Sequence, residues 1–255
     1  MARLANKVAL VTGSTRGIGR VIAETFAGEG AAVVITGRRE ADVARTMSEL
    51  DSSGANVIGF AADLADVAGA HRLAEQTLAA VPQIDILINN AGMSRRESFW
   101  DVSDERWEEQ VNVNYRSPFI LAQHAARHMR ERGIAGRIVN TSTIGAHRCH
   151  GDAAVYDSAK AAVEAMTRNM AWELGPDGIT VNCVVPGPIA QRPGASERPD
   201  LWERVSEFVP VGRTGRATDV AAAVVFFCLP EAAFTTGQIL IVDGGYGAGL
   251  AENYF

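Results

Sequence analysis

The chain has 255 residues, 47% of them apolar and 21% charged, which is typical of a globular protein that buries its own core. Its formal net charge is −6 and its basic residues are scattered, which argues against a nucleic acid partner. The longest apolar run, residues 220–229, is well short of the roughly 20 residues of a membrane span, and three distant cysteines without a CxxC pair fit neither a disulfide framework nor a zinc site.

Short runs rich in Val, Ile and Leu alternate along the chain with stretches of helical periodicity. The runs predict seven β-strands, at residues 7–12, 32–36, 57–61, 84–89, 137–141, 179–185 and 238–242. The helical stretches include residues 19–29, 41–50, 104–132 and 153–174, and the run at 220–229 predicts a buried helix. This alternation predicts an α/β fold: a doubly wound parallel sheet with helices on both faces, binding ligands at the carboxyl ends of its strands.

No repeat, low-complexity tract or linker divides the chain, so we predict a single domain over residues 1–255. A substrate lid is predicted over residues 189–208, where prolines and a glycine interrupt regular structure before a short helix over 201–208. The first apolar stretch, residues 8–11, has only the length of a strand and lacks the longer core of a secretion signal. Together with the cysteine pattern, this predicts a cytoplasmic protein.

A glycine-rich turn follows the first predicted strand directly and opens the first predicted helix. It reads Thr12-Gly13-Ser14-Thr15-Arg16-Gly17-Ile18-Gly19. Glycines permit a tight turn and let backbone N–H groups approach a pyrophosphate, which the positive end of the following helix also favours. The strand before and the helix after give the motif its required context, so we predict dinucleotide binding on a Rossmann-type fold.

The spacing of this turn, GxxxGxG, resembles that of the short-chain dehydrogenase/reductase family, and the resemblance spans nearly the whole chain. The further motifs are Asn89-Asn90-Ala91-Gly92, the pair Tyr156 and Lys160, Pro186-Gly187, and Val242-Asp243-Gly244-Gly245. The resemblance implies an oxidoreductase that interconverts a carbonyl group and a secondary alcohol with a nicotinamide cofactor. It also implies a homotetramer, in which the helices over 104–132 and 153–174, and the tail at 252–255, would contact symmetry mates.

The cofactor is predicted to be NADP(H), with NAD(H) possible. NAD enzymes carry an acidic residue after the second strand, whereas this chain has Gly37-Arg38-Arg39, and Arg16 adds a third guanidinium that could bind a 2′-phosphate. In an alternative interpretation, Arg38 and Arg39 are a solvated cluster whose charge Glu40 weakens. The predicted cofactor residues are Gly13, Thr15, Arg16, Gly17, Ile18, Gly19, Arg38, Arg39, Asp63, Leu64, Asn90, Ala91, Gly92, Tyr156, Lys160, Pro186, Gly187 and Ile189.

The predicted catalytic pair is Tyr156 and Lys160, which project from one helix face about one turn apart. A neighbouring ammonium and the positive nicotinamide ring favour the phenolate, so Tyr156 can exchange a proton with the substrate oxygen. The resemblance implies that Asn114 holds a water that joins Lys160 to a proton relay. It also implies a serine thirteen positions before the tyrosine, where this chain has Thr143; Ser142 is the alternative, since neighbouring strand residues face opposite ways.

Several polar residues support no firm assignment. His124 and His128 share a helix face, but no third ligand accompanies them, so we predict no metal and a solvated or interface pair. His147, Arg148 and His150, and also Ser94, Arg95 and Arg96, follow predicted strands and either face the substrate or are solvated loop residues. Gln191 stands where the family often has a threonine that contacts the cofactor carboxamide.

Two classes of function remain open. The first is an oxidoreductase acting on a small ketone, a keto acid, a sugar or a polyol, with a β-ketoacyl carrier-protein reductase as an alternative. Such reductases tend to have basic residues near the end of the catalytic helix, where this chain reads Leu174-Gly175-Pro176-Asp177, although Arg127, Arg130 and Arg132 remain available. The second class is a non-catalytic NADP(H)-binding sensor or scaffold.

Overall fold

The computed structural model describes residues 2–51, 54–190 and 199–249. Its centre is one parallel sheet of seven strands in the order β3-β2-β1-β4-β5-β6-β7. The strands are β1 (Val8–Val11), β2 (Ala32–Gly37), β3 (Val57–Ala61), β4 (Ile86–Asn89), β5 (Arg137–Thr141), β6 (Thr180–Pro186) and β7 (Ile239–Val242). The order reverses between the adjacent strands β1 and β4, which opens a crevice at their carboxyl ends.

Helices cover both faces of the sheet. They are α1 (Gly17–Gly28), α2 (Glu40–Asp51), α3 (Val67–Ala80), α4 (Asp104–Val111), α5 (Ser117–Glu131), α6 (Ala154–Leu174), α7 (Pro199–Ser206) and α8 (Ala217–Cys228). A π-helical turn, Asn112–Arg116, joins α4 to α5. The sequence therefore alternates strand and helix in the way that a right-handed doubly wound sheet requires.

The core has two halves because successive strand side chains point to opposite faces. On one face, Ala9 and Val11 of β1 pack with side chains of α1, α2 and α8, including Phe26 and Val224. On the other face, Leu10 and its neighbours pack with α3, α5 and α6. Every residue of β1, β4, β5 and β6 is buried, as expected for central strands covered on both sides.

The predicted seven-stranded doubly wound sheet is confirmed, and each strand lies within two residues of its predicted bounds. The prediction of one continuous helix over 104–132 is wrong in its middle, because the π-helical turn interrupts it. The predicted helices at 220–229 and 201–208 correspond to α8 and α7. Residues 191–198 of the predicted lid, Gln191 among them, and the tail at 252–255 lie outside the described residues. No helix of the described chain is long and apolar enough for a membrane crossing.

Candidate active site

A cleft of about 950 Å³ lies at the carboxyl ends of the strands. All of the predicted cofactor residues line it: Gly13, Thr15, Arg16, Gly17, Ile18, Gly19, Arg38, Arg39, Asp63, Leu64, Asn90, Ala91, Gly92, Tyr156, Lys160, Pro186, Gly187 and Ile189. Ser142 and Thr143 line it as well. Asn114 does not, because its side chain is fully buried behind the loop that follows β4. Motifs that lie far apart in the sequence thus meet in one cleft.

The glycine turn between β1 and α1 is shaped to admit a pyrophosphate. Gly13 has a φ of +64°, and a Cβ there would lie 2.9 Å from the Cα of Ala91. A Cβ on Gly19 would collide with the Gly13 carbonyl and the Asn90 amide. The first N–H groups of α1 have no acceptor within the helix and form its positive end. Backbone donors and a space kept free of side chains therefore fit the pyrophosphate of a dinucleotide.

At the adenosine end, the three arginines differ in their surroundings. Arg16 and Arg38 are exposed, and neither forms an ion pair within the part of the chain that the structure describes. Arg39 instead donates from Nε to Asp42 Oδ2 at 2.6 Å, and hydrogen bonds from Arg39 and Arg45 lower the pKa of Asp42. The charge of Arg39 is therefore already compensated, a feature that the sequence did not reveal.

Gly37 closes β2 beside the glycine turn. A Cβ on Gly37 would lie 2.9 Å from Oγ1 of Thr15 and closer still to its methyl group. An acidic side chain at position 37 would therefore require Thr15 to move. The end of β2 thus lacks a carboxylate, and the packing of the turn disfavours one.

Lys160 lies one helical turn after Tyr156 on α6, and its ammonium is buried. Its Nζ donates to the carbonyl oxygen of Thr141, at the end of β5, at 2.8 Å. Burial lowers the pKa of Lys160 to about 8. Tyr156 is half-buried and lines the cleft. The lysine charge is thus held near the phenol inside the protein, where solvent screens it little.

Asn114 lies in the π-helical turn between α4 and α5. Its Nδ2 donates to the carbonyl oxygens of Met93 and Gln110 at 2.7 and 2.9 Å, and its Oδ1 accepts from the Met93 N–H at 3.0 Å. A Cβ on Gly92 would lie 3.3 Å from Asn114 Oδ1 and 3.5 Å from Lys160 Nζ, so these two groups face the same glycine. π-helical turns are frequent at functional sites, and this one brings Asn114 close to Lys160.

Ser142 and Thr143 have different hydrogen-bond partners. Ser142 Oγ donates to Glu164 Oε1 at 2.6 Å and lies 3.2 Å from the Lys160 carbonyl oxygen, so it is engaged with α6. Thr143 Oγ1 accepts from the Gly145 N–H at 3.3 Å, which leaves its own proton available to a ligand. The two hydroxyls therefore differ in their contacts, although both residues line the cleft.

Some residues of the cleft escaped the sequence analysis. Tyr246 lines it, although only its proximity to the closing motif pointed to it, whereas the α7 residues Leu201, Trp202 and Val205, which also line it, lie within the predicted lid. Of the loop residues with two interpretations, Ser94, Arg95, Arg96 and His150 line the cleft, whereas His147 and Arg148 are not among its described lining residues.

His124 and His128 are both half-buried, and each ring has a partner within the chain. His124 Nε2 lies 3.0 Å from Nδ1 of His71, and His128 Nε2 accepts from the backbone N–H of Ile84 at 3.3 Å. Desolvation is the main cause that lowers the pKa of both His124 and His128. Among the residues that the structure describes, no group of three or more His, Cys, Asp or Glu side chains could hold a metal ion.

Comparison with known proteins gives matches along nearly the whole chain. The family model described as enoyl-(acyl carrier protein) reductase matches residues 13–247. A hydroxy(phenyl)methylsuccinyl-CoA dehydrogenase subunit of Thauera aromatica is 40% identical over 246 residues, which cover 94% of this chain and 96% of that protein. A 3-oxoacyl-(acyl-carrier-protein) reductase of Escherichia coli is 37% identical over 239 residues, covering 94% of this chain and 96% of that protein.

The fold is shared with solved structures as well. A crystal structure described as an NAD(P)-dependent gluconate 5-dehydrogenase of Beutenbergia cavernae, with bound NADP, matches with a TM-score of 0.91 and 34% sequence identity. The match covers 97% of this chain and 99% of that one. The motifs, the cleft and these matches agree: the chain belongs to the short-chain dehydrogenase/reductase family, and it is an oxidoreductase that uses a nicotinamide cofactor and acts on a carbonyl group or the corresponding alcohol.

Proposed function

We propose that the protein is an NADP(H)-dependent reductase or dehydrogenase of a small carbonyl compound, with Tyr156, Lys160, Thr143 and Asn114 as its catalytic groups. The observation that carries this proposal is the buried ammonium of Lys160, held one helical turn from Tyr156 at the wall of the cleft. Burying a charge is costly, and a fold retains such a charge where it has a function.

Each of these residues has a separate role in carbonyl reduction. A bound nicotinamide cofactor would supply the hydride that the carbonyl carbon receives. Thr143 donates a hydrogen bond to the carbonyl oxygen, and Tyr156 gives that oxygen a proton. The Lys160 ammonium stabilises the tyrosinate that remains. Asn114, fixed by the Met93 backbone, holds a water from which the proton of Tyr156 is restored.

The experiment that tests this function measures NADPH oxidation with a panel of ketones, keto acids, sugars and the ketones that correspond to polyols. The reverse reaction is measured as NADP reduction with the corresponding alcohols. Cofactor binding is measured in parallel by fluorescence. Turnover of at least one carbonyl compound is expected. Tight cofactor binding without turnover of any compound in either direction would instead favour a non-catalytic sensor or scaffold.

NADP(H) is the proposed preferred cofactor, and Arg38 is the residue on which the preference should depend most. Its guanidinium is exposed in the cleft and has no ion pair among the described residues, whereas Arg39 is paired with Asp42. We expect Arg38→Asp to raise the KM for NADPH about tenfold or more, because one charge-assisted contact is lost and a repulsion is added. The KM for NADH should change little or fall. A wild-type enzyme that prefers NADH would contradict this proposal, and Arg132→Asp, which alters an exposed arginine outside the cleft, is the matched control.

A β-ketoacyl carrier-protein reductase is the second candidate, because the Escherichia coli relative has that activity by name. Of the three arginines that could receive an acidic carrier, Arg130 already pairs with Asp177, the residue that ends the turn after α6, at 3.3 Å. A 3-oxoacyl group offered on a carrier protein and on a short thiol would separate the two candidates. Strong preference for the carrier-bound form favours the second one.

We also propose a homotetramer in the cytoplasm, with the segment 189–208 acting as a lid over the substrate. Exposed aromatic side chains on three helices support the assembly: Trp107 on α4, Phe119 on α5 and Trp172 on α6. The three cysteines are free, which fits a reducing compartment. Light scattering at micromolar concentration should give four times the mass of one chain, and a monomer would contradict the assembly.

A further inference from the structure

The two ends of the cleft are lined by different ionisable side chains, and Arg16, Arg38 and Arg39 line the end that holds the glycine turn. Its acidic lining residues within the described chain, Asp42 and Asp63, follow β2 and β3 at the adenosine end. Near Tyr156, the titratable side chains that line it, apart from Tyr246 and the catalytic pair, are Arg95, Arg96 and His150. The substrate end therefore carries cationic side chains and no carboxylate among its described lining residues. A positive, partly enclosed surface favours an anionic ligand.

These three side chains line one wall of the cleft, on two loops that contact each other. Arg95 and Arg96 lie in the loop after β4, and His150 lies in the loop before α6. The two loops are joined, because Arg96 Nη1 donates to the Gly151 carbonyl and to Asp152 Oδ1 at 3.0 and 3.1 Å. The Glu97 N–H also donates to the Asp152 carbonyl at 2.9 Å. The wall is thus assembled before any substrate binds.

His150 is fixed by Asp157, the residue directly after Tyr156 on α6. Asp157 Oδ1 lies 3.0 Å from His150 Nδ1, and its Oδ2 accepts from the His150 backbone N–H at 2.8 Å. A Cβ on Gly145 would collide with both side chains, so a glycine there makes room for the pair. Because an ionised carboxylate only accepts, Nδ1 carries the proton, and Nε2 is the ring atom left to bind a ligand.

The arginines keep donors for a ligand despite their acidic partners. Arg95 contacts Glu109 through Nε and Nη2, at 3.0 and 3.2 Å. Arg96 contacts its partners through Nη1 alone, so its Nε and Nη2 groups have no hydrogen-bond partner among the described residues. Neither Glu109 nor Asp152 lines the cleft. A carboxylate in the cleft would therefore meet N–H groups rather than the neutralising acids.

Resting on the function proposed above, we propose that Arg96 and His150 bind a carboxylate of the substrate, and that the substrate is an oxo acid rather than a neutral ketone. Asp157 is a positioning residue, since it acts through His150. An apolar part of the substrate fits the rest of this end, where Ile144, Leu201, Trp202 and Val205 line the cleft. A carboxylate only accepts hydrogen bonds, so in this complex the ring donates from Nδ1 to Asp157 and from Nε2 to the substrate.

The test compares oxo acids with their own methyl esters, which differ in charge and little in shape. Phenylglyoxylate and 4-oxo-4-phenylbutanoate serve as the acids, and NADPH oxidation gives kcat and KM for each member of each pair. Wild-type enzyme should show a kcat/KM at least about tenfold higher for an acid than for its ester, as one or two charged hydrogen bonds provide. Arg96→Gln and His150→Gln should bring this ratio close to one, mainly by raising the KM of the acid.

Matched control variants distinguish a loss of carboxylate binding from a general structural effect of the substitution. His147 pairs with Glu164 at 3.1 Å as His150 pairs with Asp157, and Arg72 pairs with Asp66 at 2.8 Å, but neither lines the cleft. His147→Gln and Arg72→Gln should keep the acid-to-ester ratio. Asp157→Ala should lower the ratio as His150→Gln does, and the double variant should lower it no further.

The outcomes distinguish this inference from the proposed function. An acid-to-ester ratio near one in the wild type, reduction of neutral ketones alone, or equal losses for acid and ester in Arg96→Gln and His150→Gln would overturn the assignment while leaving the oxidoreductase function intact. No turnover of any carbonyl compound would overturn the proposed function itself. NADPH affinity, measured for each variant by fluorescence, should stay within about threefold of the wild type and so report an intact cofactor site.

Discussion

Lys160→Met should lower kcat by about 10²- to 10⁴-fold, the range associated with assisted proton transfer, while NADPH still binds. The variant removes the ammonium that stabilises the tyrosinate form of Tyr156 and leaves a side chain of similar length in the same space. Steady-state and single-turnover rates of NADPH oxidation measure the effect. The only other lysine in the sequence, Lys7, is half-exposed and paired with Asp85 at 3.0 Å, so Lys7→Met is the control and should leave kcat unchanged.

The same substitution should make the protein more stable in the absence of cofactor. Burial lowers the pKa of Lys160 to about 8, so at pH 7 the folded protein carries a buried charge that costs about 3 kcal/mol relative to the unfolded chain. Losing the hydrogen bond to the Thr141 carbonyl offsets about 1 kcal/mol of the gain. Urea unfolding at pH 7 should therefore show the variant to be more stable by about 2 kcal/mol.

The sign of the pH dependence provides an independent check. Between pH 8 and the ordinary lysine pKa of 10.5, the unfolded wild type binds more protons than the folded wild type at this site, so its stability rises with pH relative to the variant. The advantage of Lys160→Met should be full below pH 8 and shrink as pH increases towards 10.5. An advantage that is absent at pH 7, or that grows above pH 8, would contradict a buried charged lysine.

Thr143→Val should lower kcat by roughly 10²- to 10³-fold, the loss typical of removing one donor to a developing oxyanion. Valine keeps the shape of threonine and removes the hydroxyl, whose proton is not used by the contact with the Gly145 N–H. Stability should change by less than about 1 kcal/mol, since one weak acceptor is lost. Thr143→Ser should stay active because it retains the same donor.

Ser142→Ala is the comparison that decides between the two hydroxyls. Ser142 donates to the buried carboxylate of Glu164, which would then keep only its contact with His147 among the described residues. We therefore expect Ser142→Ala to cost about 1–3 kcal/mol of stability and to change kcat little. If Ser142→Ala abolishes turnover while Thr143→Val does not, the roles of the two residues must be exchanged.

The sequence by itself determined the architecture of this protein. Strand-length apolar runs alternating with amphipathic stretches leave few folds other than a doubly wound parallel sheet, because parallel strands need crossovers and both faces need cover. The sequence also identified the glycine turn and the pair Tyr156 and Lys160, since each motif lies within eight consecutive residues or fewer. Such local patterns can be recognised without knowledge of the packing.

Only the tertiary structure decided what depends on distant contacts. The π-helical turn at Asn114 interrupts a pattern whose periodicity is helical throughout, and the Asn114 side chain bonds to Met93 in a distant loop. The contacts of Arg39 with Asp42 and of His150 with Asp157 could not be predicted, since charge compensation depends on which groups meet in space. The engagement of Ser142 with Glu164, across from β5 to α6, likewise has no sequence signal, because a hydroxyl pairs with whatever acceptor the packing brings within reach.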